Sequence, residues 1–129
     1  MKTIIAGTRT ITDYDIVCRA VSASGFDITE VVSGTARGVD RLGERWAREH
    51  DLPVEEFPAD WERYGRRAGP RRNSRMAVCA DALVAVWDGE SRGTKNMIDH
   101  AKHYGLEVFI YRTDEQTQAM VPGIVGGGQ

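Results

Sequence analysis

The chain has 129 residues, enough for one domain with a buried core and too few for two comfortable ones. Its 41% hydrophobic and 28% charged content is that of a soluble globular protein, and a net charge of −2 gives no global attraction to nucleic acid. No apolar run approaches the roughly 18 residues of a membrane span. Met1-Lys2-Thr3 leads directly into a strand pattern without a secretory signal, and Cys18 and Cys79 lack CxxC spacing. A reduced, cytoplasmic setting without a membrane partner is expected.

In chain order, Thr3-Ile4-Ile5-Ala6 reads as a short buried strand ended by Gly7. Thr12 or Asp13 is placed to cap a helix whose Tyr14, Val17, Ala20 and Val21 share one face, and Ser24-Gly25 ends it. Ile28–Val32 forms a second strand. The turn Ser33-Gly34-Thr35-Ala36-Arg37-Gly38 follows, and then a helix from about Gly38 to His50 with Val39, Leu42, Trp46 and Ala47 on its buried side. Pro53–Phe57 is a weaker strand whose two glutamates suit a sheet edge. Residues 58–72 break the pattern and read as a long functional connection, after which Asn73 or Ser74 caps a helix carrying Met76, Ala77 and Ala80.

Ala82–Trp87 is apolar on both faces, as the centre of a covered parallel sheet requires. A second glycine-rich turn, Asp88–Thr94, precedes a helix with Met97, Ile98, Ala101 and Tyr104, and Leu106–Tyr111 makes the last strand. Five strands alternating with four helices predict an α/β fold, a doubly wound and mainly parallel five-stranded sheet with helices on both faces. Residues 1–112 form the domain, and 113–129 read as a polar, glycine-rich tail.

Three strand-to-helix turns fall on the carboxyl edge of such a sheet, where ligands bind. Gly7, Thr8 and Arg9 belong to the first; Ser33, Gly34, Thr35, Arg37, Gly38 and Asp40 to the second; Ser91, Arg92, Gly93 and Thr94 to the third. Free amides at a new helix N-terminus favour phosphate, and arginine grips phosphate through two parallel hydrogen bonds. Asp40 stands where it either stabilises its helix or meets a ribose hydroxyl. Neither GxxxxGK followed by Ser or Thr nor GxGxxG occurs, which argues against a P-loop and against the usual dinucleotide fingerprint. His50, His100 and His103 have no third ligand at metal spacing, so neither metal nor cofactor is expected.

Residues 60–75 hold six arginines against Asp60 and Glu62, an excess of four positive charges, so the rest of the chain carries −6. Trp61 and Tyr64 are interleaved with them, as in surfaces that stack bases.

These blocks together resemble the SLOG superfamily of Rossmann-like nucleotide-binding domains, and within it the small YspA/YpsA-related branch. The resemblance rests on Ile5–Arg9, Ser33–Asp40, Gly69–Asn73 with Met76, and Trp87–Gly89 with Ser91–Thr94, and covers about residues 2–112. It implies a nucleotide or nucleotide-derived ligand, adds Arg72, Asn73 and Gly89 to a candidate site in which Asp88, ending the central strand, is already the acidic candidate, and favours a homo-oligomer. Members bind ADP-ribose-like signals or nucleoside phosphates as sensors or sequestering proteins, in antiviral defence or phage counter-defence. Others are phosphoribohydrolases that use a PGGxGTxxE block. Gly93-Thr94 matches its middle, but Met97 stands at the glutamate, leaving Asp88 and Glu90 as the candidate general acids or bases. Three readings follow: a nucleotide-ligand binder first, an N-glycosidic hydrolase second, and a single-stranded nucleic-acid binder third.

Overall fold

In the computed structural model, which describes residues 1–114, five strands form one sheet: β1 (Lys2–Gly7), β2 (Glu30–Ser33), β3 (Val54–Glu56), β4 (Ala82–Trp87) and β5 (Glu107–Arg112). All are parallel, in the order β3-β2-β1-β4-β5, with Ile4 beside Val32 on one side and Leu83 on the other. The expected doubly wound α/β architecture is what the chain adopts. From residue 115 on, the tail lies outside the described residues.

The period of two in the strands sorts their side chains into two cores. Ile4, Ala6, Val32, Leu83 and Ala85 pack with Met76 and Ala77 of α4 (Ala68–Cys79) and with Met97, Ile98 and Ala101 of α5 (Arg92–His103). Ile5, Val31, Val84 and Val86 pack on the other face with Val17, Ala20 and Val21 of α1 (Tyr14–Ser24), and with Val39 and Ala47 of α2 (Val39–Glu49). Asp13 caps α1 by accepting the Asp15 N–H at 3.0 Å, and Gly25 closes it in the left-handed conformation at φ 69°. Among the described residues no helix is long and apolar enough to cross a membrane.

Four expectations are corrected. Residues 58–72 are largely helical: α3 (Trp61–Tyr64), a 3₁₀ turn (Gly65–Arg67) and the start of α4. Asp60 starts α3 by accepting the Arg63 N–H at 3.1 Å. Pro70 is the third residue of α4, where its missing N–H has no intrahelical partner to lose. Asn73 and Ser74 therefore lie inside α4 and cap nothing. The second strand begins at Glu30, because Thr29 is held by an N–H bond to the Met1 carbonyl at 3.0 Å and Ile28 belongs to the α1–α2 core. Tyr104 is 46% exposed at the end of α5, with its ring edge-on to His103.

Candidate functional site

The chain leaves β1 for α1 on one face and β4 for α5 on the other, so the switch in strand order falls between neighbouring β1 and β4. Their carboxyl ends are held close. A Cβ on Gly7 would collide with the Val86 carbonyl, and Thr8 donates its N–H to that same oxygen at 3.1 Å. The Thr8 hydroxyl accepts the Asp88 N–H at 3.2 Å. Thr8 is buried by these bonds and ties the two strand ends together.

Beside this tie opens a cleft of about 540 Å³. Gly7 and Arg9 line it from the end of β1, Asp40 from α2, Trp61 from α3, Gly69, Pro70, Arg72 and Asn73 from the first turns of α4, and Ser91–Thr94 from the start of α5. The structure thus brings nine of the predicted site residues to one cavity. Gly34 and Thr35 line a smaller lobe of about 100 Å³, which shares Arg9, Ala36, Trp61 and Arg72 with the cleft.

The turn from Ser33 to Asp40 does not present free amides throughout. Ser33 is fully buried, and its hydroxyl donates to Glu44 Oε2 at 2.6 Å while accepting the Thr35 N–H at 3.0 Å. Arg41 holds the other Glu44 oxygen at 2.9 Å. The Ala36 N–H goes to Asp40 Oδ2 at 3.1 Å, and the Val39 N–H to the Thr8 carbonyl at 3.5 Å. Gly38, at φ 78°, lets the first loop come this close, since a Cβ there would collide with the Thr8 and Arg9 carbonyls. Of the amides in this turn, those of Thr35, Ala36 and Val39 are thus taken by the protein's own oxygens. Arg37 is exposed and outside the cleft lining.

Asp40 is 5% exposed, and burial pushes its carboxyl up to about 6. The Ala36 and Gly7 N–H groups and the Arg72 charge pull the other way without prevailing. Arg72 anchors the opposite wall, donating from one terminal nitrogen to the Gly34 carbonyl and from Nε to Asn73 Oδ1 at 2.9 Å. Burial lowers the Arg72 guanidinium from its ordinary value; nearby Arg9 acts in the same direction and Asp40 against it. Buried Asn73 then crosses to α5, donating Nδ2 to Asn96 Oδ1 at 3.0 Å and to the Gly93 carbonyl at 3.4 Å.

The first turn of α5 faces the cleft. Ser91 caps it by accepting the Thr94 N–H at 3.3 Å, and nothing lies within 4 Å of where a Cβ on Gly93 would stand. Asp88 organises the turn before it, accepting the N–H groups of Glu90 and Ser91, each at 2.9 Å, and these bonds hold its carboxyl below its ordinary value. Asp88, exposed Glu90 and Gly89 (φ 84°) lie outside the cleft lining. Met97 lines the cleft as a buried thioether, which has no proton to give. Asp40 is the one carboxylate in the lining.

Asn96 joins the site without having been expected from the sequence. Its position in the second turn of α5, four residues after the polar Arg92, was the available signal. Among the described residues no cluster of three His, Cys, Asp or Glu side chains is arranged to hold a metal ion.

The sequence pattern of the family described as YAcAr, the YspA, cpYpsA-related SLOG family, matches residues 1–64. The Gene 61 protein of Mycobacterium phage D29 is 33% identical over 120 residues, covering 85% of this chain and 95% of that protein. No solved structure matches the chain.

Proposed function

Because the chain belongs to the YspA, cpYpsA-related SLOG family, we propose that its cleft binds a nucleotide or nucleotide-derived signalling molecule and holds it without turnover. The observation carrying this reading is the convergence of Arg9, Arg72 and the open first turn of α5 on one cavity of about 540 Å³ at the switch point. Backbone amides at a helix start and guanidinium groups are the donors that phosphate oxygens favour. Trp61, 50% exposed at the rim, offers a flat apolar face to a base.

Binding is favoured over cleavage because the two candidate acids, Asp88 and Glu90, are outside the lining, Met97 has no proton to give, and the one carboxylate inside, Asp40, is taken up by the Ala36 N–H. A sequestering or sensing role fits this, and a phage-encoded relative is compatible with counter-defence. Pairing with a second copy is part of the same proposal and is read by light scattering during size-exclusion chromatography.

The test is to denature the purified protein and identify released small molecules by mass spectrometry. Titration with nucleoside monophosphates, ADP-ribose and cyclic derivatives follows, with products separated by chromatography. One unchanged ligand per site is the expected result. Free base released over many turnovers would overturn the binding reading in favour of hydrolysis. Binding only to oligonucleotides, with affinity falling steeply with salt, would favour the exposed arginines at 63, 66, 67, 71 and 75 instead.

A further inference from the structure

The two edges of the sheet are built differently. β3 has three residues, and cations hold its glutamates, Lys2 on Glu55 at 2.6 Å and Arg41 on Glu56 at 3.7 Å. A short, charged edge resists pairing with another strand. β5 has six residues, and Val108, Phe109, Ile110 and Tyr111 between its ends include no proline, glycine or charge. All four are half-buried. Val108 and Ile110 lean on the core under α5, whereas Phe109 and Tyr111 lie on the opposite face, where α1 sits over β4.

The bonds to β4 fix which backbone groups of β5 face outward. Glu107 and Thr113 donate their N–H groups to the carbonyls of Asp81 and Trp87, at 3.1 and 2.9 Å. Backbone groups alternate sides along a strand, so those of Val108 and Ile110 point away from β4. Among the described residues no strand lies on that side. Outward donors and acceptors flanked by apolar side chains form a template for another strand.

A second copy of β5 fits this template in a defined register. A two-fold axis that sets a strand beside its own copy stands perpendicular to the sheet. Opposite residues then share a face, and the pairing centres on a residue. Centring on Phe109 would set Arg112 in a hydrogen-bonded pair with Leu106, whose N–H already goes to the Ala101 carbonyl at 2.9 Å. Centring on Ile110 leaves Leu106 out of the ladder. Ile110 then exchanges both backbone bonds with its copy, and Phe109 faces the copy's Tyr111 on either side of the axis. These aromatic pairs fall at the closer, non-hydrogen-bonded positions. Charge agrees with this arrangement. Exposed Glu107, which has no ion pair among the described residues, comes to lie diagonally across from the copy's Tyr111, beside which Arg19 stands.

We infer that two copies of the chain join edge to edge through antiparallel β5 strands centred on Ile110, making one continuous sheet. This rests on the pairing proposed above and assigns it a surface.

Light scattering during size-exclusion chromatography tests it with full-length wild type, Val108→Lys and Ile110→Pro, and circular dichroism checks that each variant is folded. Wild type should run at the mass of two chains. Val108→Lys places a charge on the edge, and Ile110→Pro removes an N–H that points away from β4, so both should run at the mass of one chain. Crosslinking keeps the test decisive if neither variant folds. Ile110→Cys should link to its copy on mild oxidation, because a hydrogen-bonded pair lies about 5.5 Å apart at Cα, within reach of a disulfide. Phe109→Cys should not, and wild type, whose Cys18 and Cys79 lie on α1 and α4, is the control. A wild-type monomer would leave the edge to another occupant and overturn both the pairing and this interface. A wild-type dimer that persists in folded Val108→Lys and Ile110→Pro, or that crosslinks as readily at 109 as at 110, would keep the pairing and overturn this inference.

Discussion

The carboxylate of Asp40 accepts the N–H of Ala36 at 3.1 Å, four residues back along the chain. A negative charge thereby occupies the turn whose amides would otherwise meet an incoming anion. The arrangement is costly, because the group is almost fully buried and Arg72, the cation that acts most on it, is not within ion-pair distance.

That cost gives the first prediction. Asp40 has an ordinary value of 3.8 and rises to about 6 in the fold, so between these values the folded state holds more protons than the unfolded chain. Its contribution to stability is therefore fully present below about pH 4 and lost as pH rises through 6. The full penalty above that range is on the order of 3 kcal/mol. Asp40→Asn still accepts from Ala36 but carries no charge. Urea unfolding should show Asp40→Asn gaining about 1–3 kcal/mol relative to wild type between pH 4 and pH 8. A difference that does not change with pH would mean that Asp40 is solvated or ion-paired.

Arg37 and Arg92 separate a plausible motif residue from one that lines the cleft. Both are exposed cations in glycine-rich turns, yet only Arg92 lines the cleft, at the open start of α5. For a phosphate-bearing ligand, Arg92→Ala should weaken binding by roughly 1.5–3 kcal/mol, the range for a hydrogen bond to a charged group. Arg37→Ala should leave affinity within about a factor of two. Calorimetric titration of both variants with the same nucleotide decides it, and the reverse pattern would return the grip to the second turn.

How much of this was legible depends on how far apart the interacting residues lie. The β-branched run at Val31-Val32 and the apolar run Ala82–Trp87 announce strands locally, and the glycine turns that follow them mark the sheet edge where the cleft opens without any tertiary information. The helix start at Trp61 was masked by glycines, Pro70 and clustered arginines; it forms because Asp60 caps it and because Met76 and Ala77 anchor α4 on the sheet. The occupied amides of Thr35, Ala36 and Val39 were hidden for a related reason. Ser33 meets Glu44 eleven residues on, and Gly34 meets Arg72 thirty-eight residues on, and no local pattern reports such pairings.

Gly38 and Gly25 both adopt positive φ, at 78° and 69°, but only one of them is crowded. At Gly25 a Cβ would meet nothing within 4 Å, so Gly25→Ala should cost only the left-handed backbone penalty of about 1–2 kcal/mol. At Gly38 a Cβ would strike the carbonyls of Thr8 and Arg9, and the loop after β1 would have to move away from α2. Gly38→Ala should therefore cost more than Gly25→Ala by at least about 1–2 kcal/mol. It should also weaken nucleotide binding, because Arg9 moves with that loop. Equal losses in thermal unfolding, with unchanged affinity in Gly38→Ala, would show that the loop adjusts freely.

Trp61 offers the sharpest contrast between affinity and stability. It is half exposed, belongs to no core cluster, and packs loosely: its ring sits under the Arg9 guanidinium at 6.0 Å and 3.4 Å from where a Cβ on Gly69 would stand. Removing it deletes little buried surface, so Trp61→Ala should change unfolding free energy by no more than about 0.5–1 kcal/mol. If its ring stacks on a base at the rim, the same change should weaken nucleotide binding by about 1–3 kcal/mol, and less for inorganic pyrophosphate, which has no base. The indole also reports directly, since a base stacked on it should quench its fluorescence in wild type and in Trp87→Phe but not in Trp61→Phe. Quenching that survives Trp61→Phe, or equal losses for nucleotide and pyrophosphate, would place the base elsewhere in the cleft and leave Trp61 as a partner of Arg9 alone.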